Sequence, residues 1–452
     1  MGRESHFGFL VESIQLRFSI AVFVLSSSGF AQYAGPAILS RGEAPAALQS
    51  PGISFRPYAE AAATYDGGLQ GVALNNDGVL PGPQGSAGVR LMWGVSGSNS
   101  WQHTKLGLDY RGSLYEYFRV PSLDSVDQAL LLGISHQFSR HTLLTLRESA
   151  GTFGRNFVLP GLSQTVPFDP VSSYIPTIDY FDQRTYYAST QADFSIQRST
   201  RLIFDVGGDY FITRRSSAAL TGVAGASARG DIEYRLTKKT SIGVNYSYAH
   251  YAYTKTLGGT DLHGFNGGYS VRLTRNLEFS AYGGVMRAES KFISLTPVDP
   301  IIQALLGITA APQISHSINW IPNGAGRLAK KYRAGVLYFT AGHTITPGNG
   351  LFLTSFTTSL YGGYTYTGLR RWAFDAAGGY NDSNATGSIT GNYRTGTASI
   401  TVSRQIMRSM HVIFEAGLRQ YGSADFSGYN RSVFFGRTGV GITPGDLPFR
   451  LW

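Results

Sequence analysis

Between residues 185 and 197 the chain reads Thr185-Tyr186-Tyr187-Ala188-Ser189-Thr190-Gln191-Ala192-Asp193-Phe194-Ser195-Ile196-Gln197. The even positions (Tyr186, Ala188, Thr190, Ala192, Phe194, Ile196) make one row, and Tyr187, Ser189, Gln191, Asp193, Ser195 and Gln197 make the other. Successive strand side chains point to opposite faces, so this segment has one face fit for an apolar medium and one fit for water. The pattern repeats downstream. Leu202, Phe204, Val206, Gly208, Tyr210 and Ile212 oppose Arg201, Asp205, Gly207, Asp209 and Thr213, and Arg229, Asp231, Glu233 and Arg235 oppose Gly230, Ile232, Tyr234 and Leu236.

Working outward, the same unit recurs from about residue 53 to 443: an alternating run, a tight basic turn, another run, then a longer connection. The short turns contain Ser139-Arg140-His141, Arg198-Ser199-Thr200-Arg201, Thr237-Lys238-Lys239-Thr240, Thr274-Arg275-Asn276, Lys330-Lys331-Tyr332-Arg333, Leu369-Arg370-Arg371-Trp372 and Met407-Arg408-Ser409. With a turn near Ser98-Asn99-Ser100 they number eight. Nine longer connections fall near 73–86, 118–126, 157–184, 214–222, 255–262, 290–316, 346–352, 381–391 and 422–431. Eight turns and nine loops imply eighteen strands with both termini on the short-turn side. The even parity depends on reading 316–328 as a strand despite Pro322, a residue suited to an edge or bulge. Sixteen strands is the alternative. The expected fold class is therefore all-β, a transmembrane antiparallel up-and-down barrel occupying 53–443.

Composition limits the competing classes. Charged residues are 15%, well below the roughly 25% of ordinary soluble domains. Mean hydropathy is −0.07, with Gly at 56 and Tyr and Phe at 27 each. No segment after the first thirty residues nears the apolar run of about 18 that a membrane helix needs. Propellers and solenoids would show a fixed sequence period, and none is visible. The absence of cysteine excludes disulfides, thiolate metal sites and Cys nucleophiles. At the N-terminus, Arg17 precedes the apolar run Phe18–Leu25 and small residues lead to Ala31, which reads as a signal peptide over 1–31. Residues 32–52 then form a periplasmic segment and 444–452 a C-terminal tail.

The signal peptide, basic short turns, alternating strands, long far-side loops and the aromatic Phe449 and Trp452 resemble Gram-negative porin-like outer-membrane barrels. Thr104-Lys105-Leu106-Gly107-Leu108-Asp109-Tyr110-Arg111-Gly112 and Thr346-Pro347-Gly348-Asn349-Gly350 are similar to stretches in a subgroup of such proteins. The resemblance covers the mature chain and is architectural. It implies passive diffusion of small hydrophilic solutes, delivery by barrel-assembly machinery, and outer-membrane lipid as surroundings, with both termini periplasmic. The alternative is a surface-exposed binding or structural barrel with an occluded lumen. One departure stands out. Porins of this kind end their last strand on an aromatic residue, whereas here Ser432–Thr443 is followed by Pro444-Gly445-Asp446-Leu447-Pro448.

The charge surplus is localised. Thirteen basic residues (Arg140, Arg198, Arg201, Lys238, Lys239, Arg275, Lys330, Lys331, Arg333, Arg370, Arg371, Arg404 and Arg408) lie at short turns, and removing them from 38 leaves 25 against 28 acidic residues. The surplus therefore faces lipid head groups at one rim and gives no ground for a nucleic-acid partner. Face parity nominates pore-lining cations Arg56, Arg90, Lys105, Arg111, Arg229, Arg235, Arg272, Arg419 and Arg437. It nominates the anions Glu60, Asp109, Asp193, Asp205, Asp209, Asp231, Glu233, Glu278, Asp375 and Glu415. These either solvate the lumen and pair across strands or set a transverse field for a dipolar solute.

Two loops carry further expectations. Residues 157–184 are apolar and interrupted by Pro160, Pro167, Pro170 and Pro176. In 290–316, Asp299, Pro300 and Gly307 frame a short helix whose Ile302, Leu305 and Leu306 need cover, either as a lumen constriction or outside the barrel. No catalytic motif appears, the nine His are scattered, and neither metal nor cofactor is expected. Residues 32–52 are too few for a plug domain. The sequence leaves oligomeric state open.

Overall fold

The computed structural model describes residues 53–70, 82–154, 184–217, 220–254, 258–297, 310–348, 350, 353–385, 391–423, 430–443 and 447–449. The first strands are β1 (Ile53–Leu69), β2 (Gln84–Ser100), β3 (Thr104–Tyr117), β4 (Ser125–Ser139), β5 (Thr142–Phe153) and β6 (Thr185–Gln197). Then come β7 (Leu202–Arg215), β8 (Val223–Arg235), β9 (Thr240–Tyr253), β10 (Gly258–Thr274), β11 (Leu277–Pro297) and β12 (Ala310–Tyr332). The last are β13 (Gly335–Thr346), β14 (Ser355–Tyr366), β15 (Trp372–Ala385), β16 (Asn392–Gln405), β17 (Met410–Ser423), β18 (Arg431–Ile442) and the short β19 (Leu447–Phe449).

Each strand pairs antiparallel with its sequence neighbours, and β18 closes on β1 from Ala59↔Ile442 to Asp66↔Phe435. The result is a closed eighteen-strand barrel. Closure leaves no free edge, the condition under which a sheet can cross hydrocarbon. β19 pairs with Ile53–Phe55 of β1, below the β18 contact, so it continues the line of the eighteenth stave. The tail thus puts Phe449 back on the wall. Residues 1–52 and the segment 299–307, with Asp299, Ile302, Leu305 and Leu306, lie outside the described residues.

Strands run further toward the long loops than the sequence reading has them: β10 begins at Gly258, β15 reaches Ala385, and the largest difference is at β11 and β12. β11 and β12 pair continuously from Leu277↔Lys330 to Pro297↔Ala310, so 290–297 and 310–316 are strand where a loop was expected. Pro297 and Pro312 lie at the far end of this ladder, opposite Ala310 and Leu295. Pro322 faces outward opposite Val285 and is exposed, where it interrupts only local pairing.

The outward rows carry the apolar side chains. Val206, Phe265 and Ile400 are at least 60% exposed, and Val244, Phe414 and Leu418 stand out similarly on their staves. A continuous exposed apolar surface around a closed sheet has lipid as its solvent. At the short-turn rim the outward aromatics stack: Trp372 on Phe374 at 5.9 Å, and Tyr364 on Tyr366 at 6.3 Å. Arg404 lies over the Trp372 ring and Lys330 over Tyr332, at 5.1 and 4.9 Å. Amphipathic rings backed by cations suit a head-group boundary.

Candidate functional site

All nineteen nominated lining residues fall on the inward face, because paired residues share a face and their outward neighbours are the exposed apolar rows. The inner wall divides into arcs of different chemistry. The first spans β17, β18, β1, β2 and β3. Here Arg437 donates to Glu60 at 2.7 Å and to Glu415, joining three staves. Arg419 reaches Asp66 at 3.2 Å and lies 4.2 Å over the Phe435 ring. Arg431 donates to Gln70 at 2.6 Å while stacking on Tyr421, and Arg90 lies over Tyr115. Arg111 pairs with Asp109 at 2.6 Å. With Arg56 and Lys105, this arc has more cations than anions. Flat guanidinium groups braced on aromatic faces are held in a fixed orientation on the wall.

The second arc spans β6, β7 and β8 and is acidic. Asp193 and Arg229 form an ion pair that skips a stave, crossing over Gly207 of β7. A Cβ at Gly207 would come within 2.3 Å of the Asp193 carboxylate and 2.9 Å of Arg229 Nε, so glycine is what permits the crossing. Three further carboxylates take neutral donors: Ser195 donates to Asp205, Ser227 to Asp209 and Asn245 to Asp231, which also lies 3.8 Å from Arg229 Nε. Neutral donors fix geometry without cancelling charge, so the arc keeps a negative surplus. Amides extend the chain of contacts: Asn266 donates to Asn245 at 3.2 Å, and Asn323 donates to Asn266 at 3.1 Å across Gly284.

From β9 to β16, the inward charges among the described residues are Arg272, Glu278, Arg327, Lys331 and Asp375. Arg272 meets Glu278 at 2.9 Å and Asp375 accepts from Thr365 at 2.6 Å. Toward the long-loop rim the wall of β7 to β12 instead turns apolar and buried, with Phe211, Tyr251, Leu262, Met286, Phe292 and Ile321 in one cluster.

The connection from β13 to β14 accounts for that cover. Leu353 packs on the cluster, and Thr354 Oγ1 sits 2.7 Å from both Tyr253 Oη and Thr260 Oγ1, on staves far from its own. Thr221 N–H donates to the Gly350 carbonyl at 3.0 Å, and Arg215 donates to the Thr221 carbonyl at 2.8 Å. Gly348 and Gly350 have φ of 77° and 87°, which lets the strap bend inward where other residues would be strained. The described residues of this connection, Gly350, Leu353 and Thr354, therefore lie against the inner wall. Parity reasoning also missed the inward Asp66, Asp127, Arg147, Arg215, Arg327 and Arg431, most of them near strand ends. Among the described residues no group of three or more His, Asp or Glu is arranged to hold a metal.

No family profile and no curated protein matches the chain. Among solved structures, it is similar to OpdQ of Pseudomonas aeruginosa at 11% identity and a TM-score of 0.42, covering 88% of this chain and 98% of that one. For Pseudomonas aeruginosa OccK2 (OpdF) in complex with glucuronate the values are 10%, 0.42, 86% and 98%. For the ferric-catecholate import receptor Fiu of Escherichia coli K12 they are 9%, 0.41, 85% and 81%. Nothing about cargo follows from likeness this distant. The closed wall, apolar outside and charged within, defines a membrane-spanning β-barrel. Within that class it is an eighteen-strand barrel whose β13–β14 strap lies on its own inner wall.

Proposed function

We propose that the protein is a passive channel for small hydrophilic solutes across the Gram-negative outer membrane, with the short-turn rim and both termini in the periplasm. The observation that carries this is the inner wall. Carboxylates, guanidinium groups and amides line it from β17 round to β8 and on to β12, and such a lining is stable only against water. A barrel of this strand number encloses an aqueous passage unless loops fill it. The basic and acidic arcs lie apart, so a dipolar solute is oriented while neither ion sign is strongly preferred. The strap at 346–354 narrows the passage on one side. No catalytic role is assigned. Outer-membrane lipids and the barrel-assembly machinery are the partners this reading requires.

One observation favours the second reading, a binding barrel with an occluded lumen: the strap rests on buried apolar wall, as a plug would. Liposome swelling decides between them. Vesicles containing refolded protein should swell in isosmotic solutions of monosaccharides and amino acids, and progressively less with larger oligosaccharides. Swelling no faster than protein-free vesicles for every solute would reject the channel.

A further inference from the structure

Toward the long-loop rim β12 is left with an open edge. Its register with β11 is unbroken from Leu277↔Lys330 to Pro297↔Ala310, whereas β13 pairs with it only from Tyr332↔Gly335 to Gly324↔His343. Among the described residues nothing pairs with 310–323 on the β13 side. The chain that follows β13 lies instead against the inner wall at Gly350, Leu353 and Thr354.

The open side can be assigned residue by residue. Lys331 N–H donates to the Asn276 carbonyl at 2.7 Å, so the odd positions of β12 turn their main-chain groups toward β11. With no shift of register, the even positions turn theirs toward the open side. Pro312 and Pro322 fall on that side and have no N–H, so neither costs the β11 ladder a bond. Between them Ile314, His316, Ile318 and Trp320 each present an N–H and a C=O along the edge. Their side chains share the outer face, where Ile314 is 72% and Trp320 69% exposed, and Ser315, Ser317 and Asn319 line the inner one. Roughly ten residues of a tilted strand cross an apolar layer, which counted from Tyr332 ends near Pro322. Trp320 then sits at the boundary, with Ile318 and Ile314 beyond it.

We propose that this edge is a docking site for an extended segment of another polypeptide, which adds to β12 as a further strand. Only a main chain offers alternate carbonyls and N–H groups at the spacing of a β-ladder, so the edge specifies its occupant's backbone. Edges that avoid such pairing carry lysine, a bulge or a proline within the strand, and residues 314–320 have none of these. The occupant's side chains are β-branched or aromatic where they meet Ile314, Ile318 and Trp320, and polar beside Ser315, Ser317 and Asn319. A second copy in the same membrane is inserted the same way up, so its β12 cannot run antiparallel to this one along the wall. The strap of this chain is already held inside the barrel. Docking here does not depend on whether the lumen conducts.

The test follows amide hydrogen exchange, residue by residue, in the refolded full chain in neutral detergent micelles, alone and with the end-blocked peptide Thr-Val-Thr-Val-Thr-Val-Thr. Without peptide, the amides of Ile314, His316, Ile318 and Trp320 should exchange fast and those of Ser315, Ser317 and Asn319 slowly. Peptide at ten times its dissociation constant should slow the first set about tenfold. Ile318→Pro removes an edge donor and no β11 bond, so the slowing at Ile314, His316 and Trp320 should be lost with the β-sheet circular dichroism spectrum unchanged. Ile314→Pro gives the same reading should that variant fail to fold. A native edge that stays fast in millimolar peptide, or slowing that survives the proline variants, overturns the proposal. So do edge amides already slow without peptide: in a monomer they mean that the chain covers its own edge, and in an oligomer dispersed by Ile318→Pro that a second copy is the occupant.

Discussion

Replacing Gly350 by alanine should release the strap from the inner wall while leaving the barrel intact. Gly350 has φ of 87°, and a Cβ there would lie 2.8 Å from the Arg215 side chain and 2.8 Å from the Thr221 carbonyl. The left-handed conformation costs an alanine about 1–2 kcal/mol. Losing the Thr221 N–H bond to the Gly350 carbonyl removes about 1 kcal/mol more. At 1.4 kcal/mol per factor of ten, a total of about 2–3 kcal/mol multiplies the undocked population roughly 30- to 150-fold. The chain contains no cysteine, so a thiol introduced by Leu353→Cys reports on the strap alone. Leu353 packs against the buried cluster, and its alkylation should proceed only from the undocked state. The Gly350→Ala background should raise the alkylation rate by that factor, with β-sheet content unchanged. A rate that stays within twofold of the Leu353→Cys single variant would refute the docked strap.

Three further outcomes follow. Epitope tags inserted after Gly258 or Asn384 should be reachable on intact cells, and tags at Lys238 or Arg370 should not; the opposite pattern would invert the proposed orientation. Arg229→Gln removes the cation paired with Asp193 and adds one charge to the negative surplus of the acidic arc. Reversal potentials in a salt gradient should therefore shift toward cation preference, most at low ionic strength, and an unshifted potential would mean the acidic arc does not face the permeating ions. Gly284→Val would drive a Cβ to 2.0 Å from the Phe265 carbonyl and 2.6 Å from Asn266 Oδ1, costing about 1–3 kcal/mol, read as a lower urea midpoint for barrel unfolding. A midpoint matching the native chain would contradict the crossing of Asn323 to Asn266 over glycine.

The wall was legible because its information is local. In Thr185–Gln197 or Arg229–Arg235, a period of two assigns every side chain to a face, and pairing preserves the assignment from stave to stave. Strand ends were less legible, since a one-residue slip inverts the face and the pattern there is too short to fix register. Asp66, Arg215 and Arg431 lie in that zone. Polarity also misled at the long-loop rim, where Phe211, Tyr251 and Met286 face inward against the usual rule. Their reason is the strap, which reaches them from more than ninety residues away along the chain, as the bond of Thr354 to Thr260 illustrates. The sequence places a connection at 346–352, but where it lands depends on contacts with no sequence periodicity. The length of β11 and β12 was hidden similarly, because Pro297 and Pro312 mimic loop punctuation while the two strands support each other.

On this reading the charged inner wall surrounds a water-filled passage narrowed by the strap. Single-channel recording on refolded protein in planar bilayers tests it most directly, comparing the native chain with a variant in which residues 347–354 are replaced by a four-residue turn. The native protein should give discrete ohmic conductance steps and the shortened variant larger ones. Silent bilayers from both proteins, with folded barrel demonstrably inserted, would contradict it.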